Sequence, residues 1–104
     1  MATTGARITL EFDIDDQPMG AVMRATRPPS ELRVRVLGTD ALASVVVVRN
    51  NEDWHTVTDP GWDCDFTLQD LGMPEELTGW YYVRVVQRDG NMAWSSPIWI
   101  VDER

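Results

Sequence analysis

His55 is the only histidine of the chain and Cys64 the only cysteine. Nucleophilic catalysis needs a serine or cysteine, a histidine and a carboxylate converging in space. The sequence has no Gly-x-Ser-x-Gly elbow and no other nucleophile signature. His55 therefore reads as a strand or turn position rather than a catalytic base. Cys64 falls in phase with Trp62, Phe66 and Leu68, which reads as a small core residue rather than a reactive thiol. All basic residues are arginine, so lysine Schiff-base chemistry is excluded.

Metal chemistry finds little more. A zinc site needs three or four Cys or His ligands, and His55 and Cys64 are all the chain has. Asp13, Asp15 and Asp16 form one acidic cluster, and Asp59, Asp63 and Asp65 another. Neither has the spacing of a calcium loop, so both read as solvated turn acids. Glu75-Glu76 reads as charge at the start of one helical turn after Pro74. No catalytic residue, metal ligand or cofactor is expected. Five tryptophans in 104 residues leave one binding chemistry open, because flat rings stack on sugars. The competing reading of those rings is core and interface packing, where Trp buries large areas.

The net charge is −8, which repels phosphate backbones and anionic membranes. Neither nucleic acid nor membrane is an expected partner. A chain of 104 residues suits one compact domain. One cysteine permits no internal disulfide. The opening residues lack a basic region followed by a long apolar core, so they do not read as a signal peptide. A cytoplasmic location is the expectation from these features.

The elements that must carry these residues read as strands. Residues 1–6 are small and polar and are expected to be flexible; residues 7–104 form a single domain. Arg7–Ile14 alternates, with Ile8, Leu10, Phe12 and Ile14 on one side. Ala21–Thr26 suits a short edge strand, and Arg27–Ser30 a break. Glu31–Leu37 alternates again, and Gly38-Thr39-Asp40 is expected to turn the chain. Leu42–Arg49 contains four consecutive valines, the pattern of a strand covered on both faces. Asn50-Asn51 suggests a hairpin into Trp54–Thr58. Asp59-Pro60-Gly61 is expected to turn into a strand with Trp62, Cys64, Phe66 and Leu68 on its inner face. Gln69–Thr78 reads as a loop. Trp80–Gln87 and Met92–Val101 form a final hairpin around Asp89-Gly90, broken at Ser95-Ser96-Pro97. Seven or eight short strands spaced about ten residues apart predict an all-β, antiparallel β-sandwich of the immunoglobulin or fibronectin-III type. Gly79-Trp80-Tyr81-Tyr82-Val83 has the form of a tyrosine corner, with Tyr81 tying a crossing loop.

The string Tyr81-Tyr82-Val83-Arg84-Val85-Val86-Gln87, then Asp89-Gly90, then Ala93-Trp94-Ser95-Ser96-Pro97-Ile98-Trp99-Ile100 resembles the end of PHP-type metallohydrolases of the CehA/McbA kind. In that family a catalytic metal-binding domain is followed by a small β-sandwich with such a signature. Val45–Asn50 is similar to the family's apolar strand ending in Arg-Asn, though Asn51 replaces the usual glycine. The resemblance implies a non-catalytic accessory sandwich that packs against a PHP-type catalytic domain of the same or a parent chain. The chain has no His-x-His, so no metal ligand carries over. Ser-Ser-Pro before a last strand is also similar to fibronectin type III domains.

The alternation of the final hairpin supplies the candidate site. If Tyr81, Val83 and Val85 point inward, then Trp80, Tyr82, Arg84 and Val86 point outward, and Trp99 joins them from the last strand. A water-facing surface should be polar there. This one is aromatic, with Arg84 among the rings, which is the composition of an interface. The expected partner is the catalytic domain or a second copy of the chain. The alternative is that loop Gln69–Thr78 folds over the rings, or that exposed tryptophans bind a sugar.

Overall fold

A computed structural model describes residues 2–3, 7–25, 31–69 and 79–102. Among them every regular element is a strand: β1 (Ala2–Thr3), β2 (Thr9–Ile14), β3 (Gln17–Pro18), β4 (Val22–Ala25), β5 (Leu32–Arg49), β6 (Glu52–Leu68), β7 (Gly79–Gln87), β8 (Met92–Trp94) and β9 (Ile98–Asp102). The protein is all-β.

The fold is built on one long hairpin, β5–β6. Asn50 and Asn51 close it with φ of 50° and 69°, the left-handed pair that a two-residue hairpin turn requires. The two turns expected at Gly38–Asp40 and Asp59–Gly61 do not end strands. They face each other across the hairpin and bend it, with register shifts from Leu37 to Ser44. A straight strand of this length would span about 60 Å, yet the longest dimension of the molecule is 44 Å. Both signals were real but were spent on a corner. Asp59 and Gly61 take positive φ there. Gly38 must lack a side chain, because a Cβ would lie 2.7 Å from the Asp40 carbonyl oxygen and 2.8 Å from that of Trp62.

The corner changes which residues face inward. Before it, Leu32, Val34 and Val36 are buried; after it, Val45 and Val47 take over, an odd series in place of an even one. The shift keeps one face of the hairpin inside throughout. The first half of β5 pairs with β2 and the second half of β6; its second half pairs with β7 and the first half of β6. The two halves of the sheet close over one core of Ile8, Leu10, Phe12, Ile14, Leu32, Val34, Val36, Leu42, Val45, Val47, Cys64, Tyr81, Val83, Val85, Ala93, Ile98 and Ile100. Cys64 lies inside, as expected, but Trp62 is 57% exposed at the corner and does not join Phe66 and Leu68 against the core.

The sheet is mixed rather than antiparallel throughout. β4 runs parallel to β9, with Val22 opposite Trp99 and Met23 opposite Ile100. These strands are far apart in the chain, so no short turn dictates their direction. The Gly20 N–H donates to the Pro97 carbonyl at 3.0 Å and the Trp99 N–H to the Ala21 carbonyl at 3.0 Å, which fixes the register. Ala2 and Thr3, expected in a flexible segment, pair with Trp94 and Ala93. Arg27–Ser30, most of loop Gln69–Thr78 and the helical turn at Glu75-Glu76 lie outside the described residues. Tyr81 itself is fully buried, its ring edge-on to Trp54 at 6.0 Å.

The last hairpin turns at Arg88-Asp89-Gly90, with Gly90 at φ 87° and its N–H donating to the Gln87 carbonyl. The break at Ser95 keeps its backbone satisfied. The Ser95 N–H donates to the Val83 carbonyl at 2.9 Å, and the Val83 N–H donates to Ser95 Oγ at 2.8 Å. The hydroxyl thus replaces a backbone acceptor where the strand leaves the ladder. Ser95→Ala should strand the buried Val83 N–H and cost about 1–3 kcal/mol in urea unfolding. An unchanged unfolding midpoint would show that water or another acceptor takes its place.

Gln87 is buried and holds the corner to this turn. Its Oε1 accepts from the Thr39 N–H at 2.8 Å, and its Nε2 donates to Thr39 Oγ1 and to the Asp89 carboxylate. The backbone and side-chain amides of Asn91 also donate to Asp89, and with Gln87 they hold its carboxyl below the usual value of 3.8. A depressed folded pKa means that this contribution is present above pH 3.8 and is lost as pH falls through the folded value. Asp89→Asn should therefore be less stable than the parent at neutral pH, with the gap closing in strong acid. A gap that stays constant into strong acid would detach it from the carboxylate.

Candidate interaction face

Strand β7 alternates fully. Gly79, Tyr81, Val83, Val85 and Gln87 are buried; Trp80, Tyr82, Arg84 and Val86 are half-buried on the opposite, outer face. The start of β7 is fixed by the β5–β6 turn. The Asn50 N–H donates to the Trp80 carbonyl at 3.0 Å, and the Trp80 N–H donates to Asn50 Oδ1 at 2.9 Å. A Cβ at residue 79 would meet that oxygen at 2.7 Å, so glycine is the residue that lets the asparagine reach across.

Trp99 stands directly opposite Trp80, and Val22 directly opposite Trp99. Three strands thus set one apolar row on the outer face. The Trp80 ring stacks on Tyr82, with centroids 5.6 Å apart and planes 7° from parallel, and meets Trp99 at 5.9 Å, tilted by 38°. Trp99 is 46% exposed, Val22 65% and Val101 39%. Trp94 joins the face beside Arg84, its register partner on β8, and Met92 stands beside Val86.

Arg84 does a different job from the rings. Its guanidinium reaches Asp53 at 3.3 Å. Asp53 is on β6 and Arg84 on β7, so the pair crosses above β5, over Val46 and Val48. Such a half-exposed pair contributes at most about 1 kcal/mol by charge. Keeping two valines dry is worth about 1.5–3 kcal/mol each. The arginine therefore acts chiefly as a cover, which explains why the four valines of β5 are buried on both faces.

The outer face of the other half of the sheet is unlike this one. Glu11, Asp13, Arg33 and Arg35 line a shallow open hollow there. Arg35 faces Glu11 at 4.0 Å and Arg33 faces Asp65 at 3.6 Å. That surface is a water-facing lattice of mixed charge.

His55 and Cys64 both lie on β6. His55 is half-buried with its ring against Phe66 at 5.5 Å. Burial, and then the Asp65 charge, push the Cys64 thiol above its usual value, so it stays protonated at neutral pH. Among the described residues no three His, Cys, Asp or Glu side chains form a group that could hold a metal. No helix among the described residues is long and apolar enough to cross a membrane.

The alternation of β7 and β9 brings together the sequence candidates Trp80, Tyr82, Arg84, Val86 and Trp99. Val22, Asp53 and Trp94 were missed. Val22 arrives by a parallel pairing that no local pattern announces, and Asp53 by reaching over an intervening strand. Trp94 could have been found by counting from buried Ala93, but the break at Ser95 obscures the phase.

No family model matches the chain, and no solved structure does. Proteins of unknown role from Chlamydia do. One from Chlamydia trachomatis serovar D is 36% identical over 114 aligned positions, covering 95% of this chain and 18% of that protein. Those from Chlamydia muridarum and Chlamydia pneumoniae are 34% and 35% identical with the same coverage. The chain thus spans less than a fifth of the length of the curated relatives it matches.

Proposed function

We propose that this chain is a non-catalytic accessory domain that docks through its aromatic outer face onto the remainder of a longer protein. The observation that carries this reading is the apolar row Val22–Trp99–Trp80, exposed at Val22 and Trp99 and half-buried at Trp80, with Tyr82 stacked beside it. Apolar surface of this kind is left uncovered mainly where something binds. Trp and Tyr are also the residues that dominate interface energies. The occupant is suggested by length: more than four-fifths of each matched relative lies outside the matched span. The charged face around Glu11 and Arg35 gives the domain a second side suited to water. An accessory role also fits the packing of the His55 ring on Phe66 and the protonated state of Cys64.

The finer fold reading supports the same role. The strand order β2, β5, β6 in one half and β6, β5, β7, β9 in the other fits an immunoglobulin-type sandwich whose chain crosses between layers at corners. On the resemblance carried by Tyr81–Ile100, the docking partner is a PHP-type metal-dependent hydrolase domain. A sugar platform is less favoured, because Trp80 and Tyr82 stack on one another and so shield a face of each ring.

Trp99→Ser tests docking. The variant domain should stay folded, since Trp99 is about half exposed, while its affinity for the remainder of a full-length relative, supplied separately, should fall by roughly thirtyfold or more, as at an interface hot spot. Equal affinity would reject the aromatic face as the interface, and a Trp99-dependent self-association in sedimentation would identify a second copy as the occupant. The accessory role has its own check. Thermal melts of the domain with and without a chelator should overlay, and a large chelator-induced drop would reveal a structural metal.

A further inference from the structure

β6 is the edge of both halves of the sheet. Among the described residues it bonds to β5 alone along its whole length. The corner at Asp59–Gly61 divides this edge and leaves one regular stretch, Trp62–Leu68, beyond it. There the strand alternates, with one side toward the core and the other toward water. Cys64, Phe66 and Leu68 point to the core side; Asp63, Asp65 and Thr67 point to water. Phe66 and Leu68 are only half-buried, and Trp62, in the same phase, is 57% exposed. Among the described residues no second strand lies beside them to finish covering them.

We propose that the Trp62–Leu68 edge accepts an added antiparallel or parallel strand from a protein segment that alternates apolar and basic residues. Unpaired edge N–H and C=O groups supply the main-chain bonds, and alternate side chains supply the selectivity. Apolar residues of the incoming segment would lie against Trp62, Phe66 and Leu68. Its basic residues would face Asp63 and Asp65. Charge chooses the occupant. β6 carries Glu52, Asp53, Asp59, Asp63 and Asp65 and no Lys or Arg. Asp53, Asp59 and Asp65 are met by arginines of the same molecule, whereas Asp63 stands opposite Leu37 and makes no ion pair among the described residues. A second copy pairing edge to edge would bring the two acidic rows together, and like charges opposite one another destabilise a sheet. The same acids that bar self-pairing favour a basic strand. This site is separate from the aromatic face and does not depend on how that face is used.

The test uses a labelled peptide alternating valine and arginine, with anisotropy for binding and amide exchange for location. The peptide should bind, protect amides within Trp62–Leu68, and weaken as salt rises. Two peptides N-methylated on alternate amides separate strand addition from charge attraction. The form blocked on the sheet-facing amides should lose binding and the other should keep it. Asp63→Lys combined with Asp65→Lys should weaken the arginine peptide by roughly tenfold and favour a valine–glutamate peptide instead. Failure to bind, equal binding of the two N-methylated forms, or protection elsewhere than β6 would each overturn the proposal.

Discussion

The structure depends on a single constraint: one hairpin must serve two halves of a sheet. β5 and β6 are too long to lie straight in a molecule of this size, so both bend at the same level. The bend succeeds because the residues opposite each other there are the ones that tolerate it. Asp59 and Gly61 accept left-handed backbone, and Gly38 lets two carbonyls approach where any side chain would collide. The register shift that comes with the bend moves the buried series from even to odd positions. Without it, the second half of β5 would keep its inner face only by pointing different residues at the core.

The corner also makes room for the polar anchors. Thr39 sits in it, and Gln87 reaches it from β7. A fully buried glutamine is costly unless its amide is satisfied. Here it accepts from the backbone of one turn and donates to the side chains of two. That network ties the bend to the β7–β8 turn and sets the height at which β7 lies along β5. At the other end Asn50 performs the equivalent task for Trp80. β7 is therefore held at both ends by side chains from turns, and its outer residues are aligned as a consequence.

From that alignment comes the contrast between the two outer faces. On the half built from β2, alternation places charges on both strands and they pair across the ladder. On the half built around β7, alternation places rings. Arg84 is the exception that shows the difference: it spends its charge on Asp53 and its length on covering valines. The rings Trp80, Tyr82 and Trp99 pack on one another. A surface assembled this way is expensive to leave in water, whereas the opposite face is already well solvated.

The local pattern was enough to determine the element type almost everywhere, because period-two alternation and β-branched runs respond to burial on one or two faces of a sheet. It placed β2, β7 and β9 within a residue or two at described ends, the buried Val45–Val48 run, and the inward and outward sets of β7. It also set the outer cluster Trp80, Tyr82, Arg84, Val86 and Trp99, since each follows from the phase of its own strand. Turn chemistry was legible but ambiguous. Gly, Pro and Asp mark where backbone departs from a strand, and they do not say whether the chain reverses or only bends. Asn50-Asn51 reversed it; Gly38–Asp40 and Asp59–Gly61 did not, because each had the other as a partner across the hairpin. Pairing between distant segments was likewise invisible. The parallel seat of β4 on β9, the place of Val22 beside Trp99, the reach of Asp53 across β5 and the exposure of Trp62 at the corner depend on which strands become neighbours. Only the closing of the sheet over a common core decides that, because it is the shared burial of both halves, and not any local preference, that selects the neighbours.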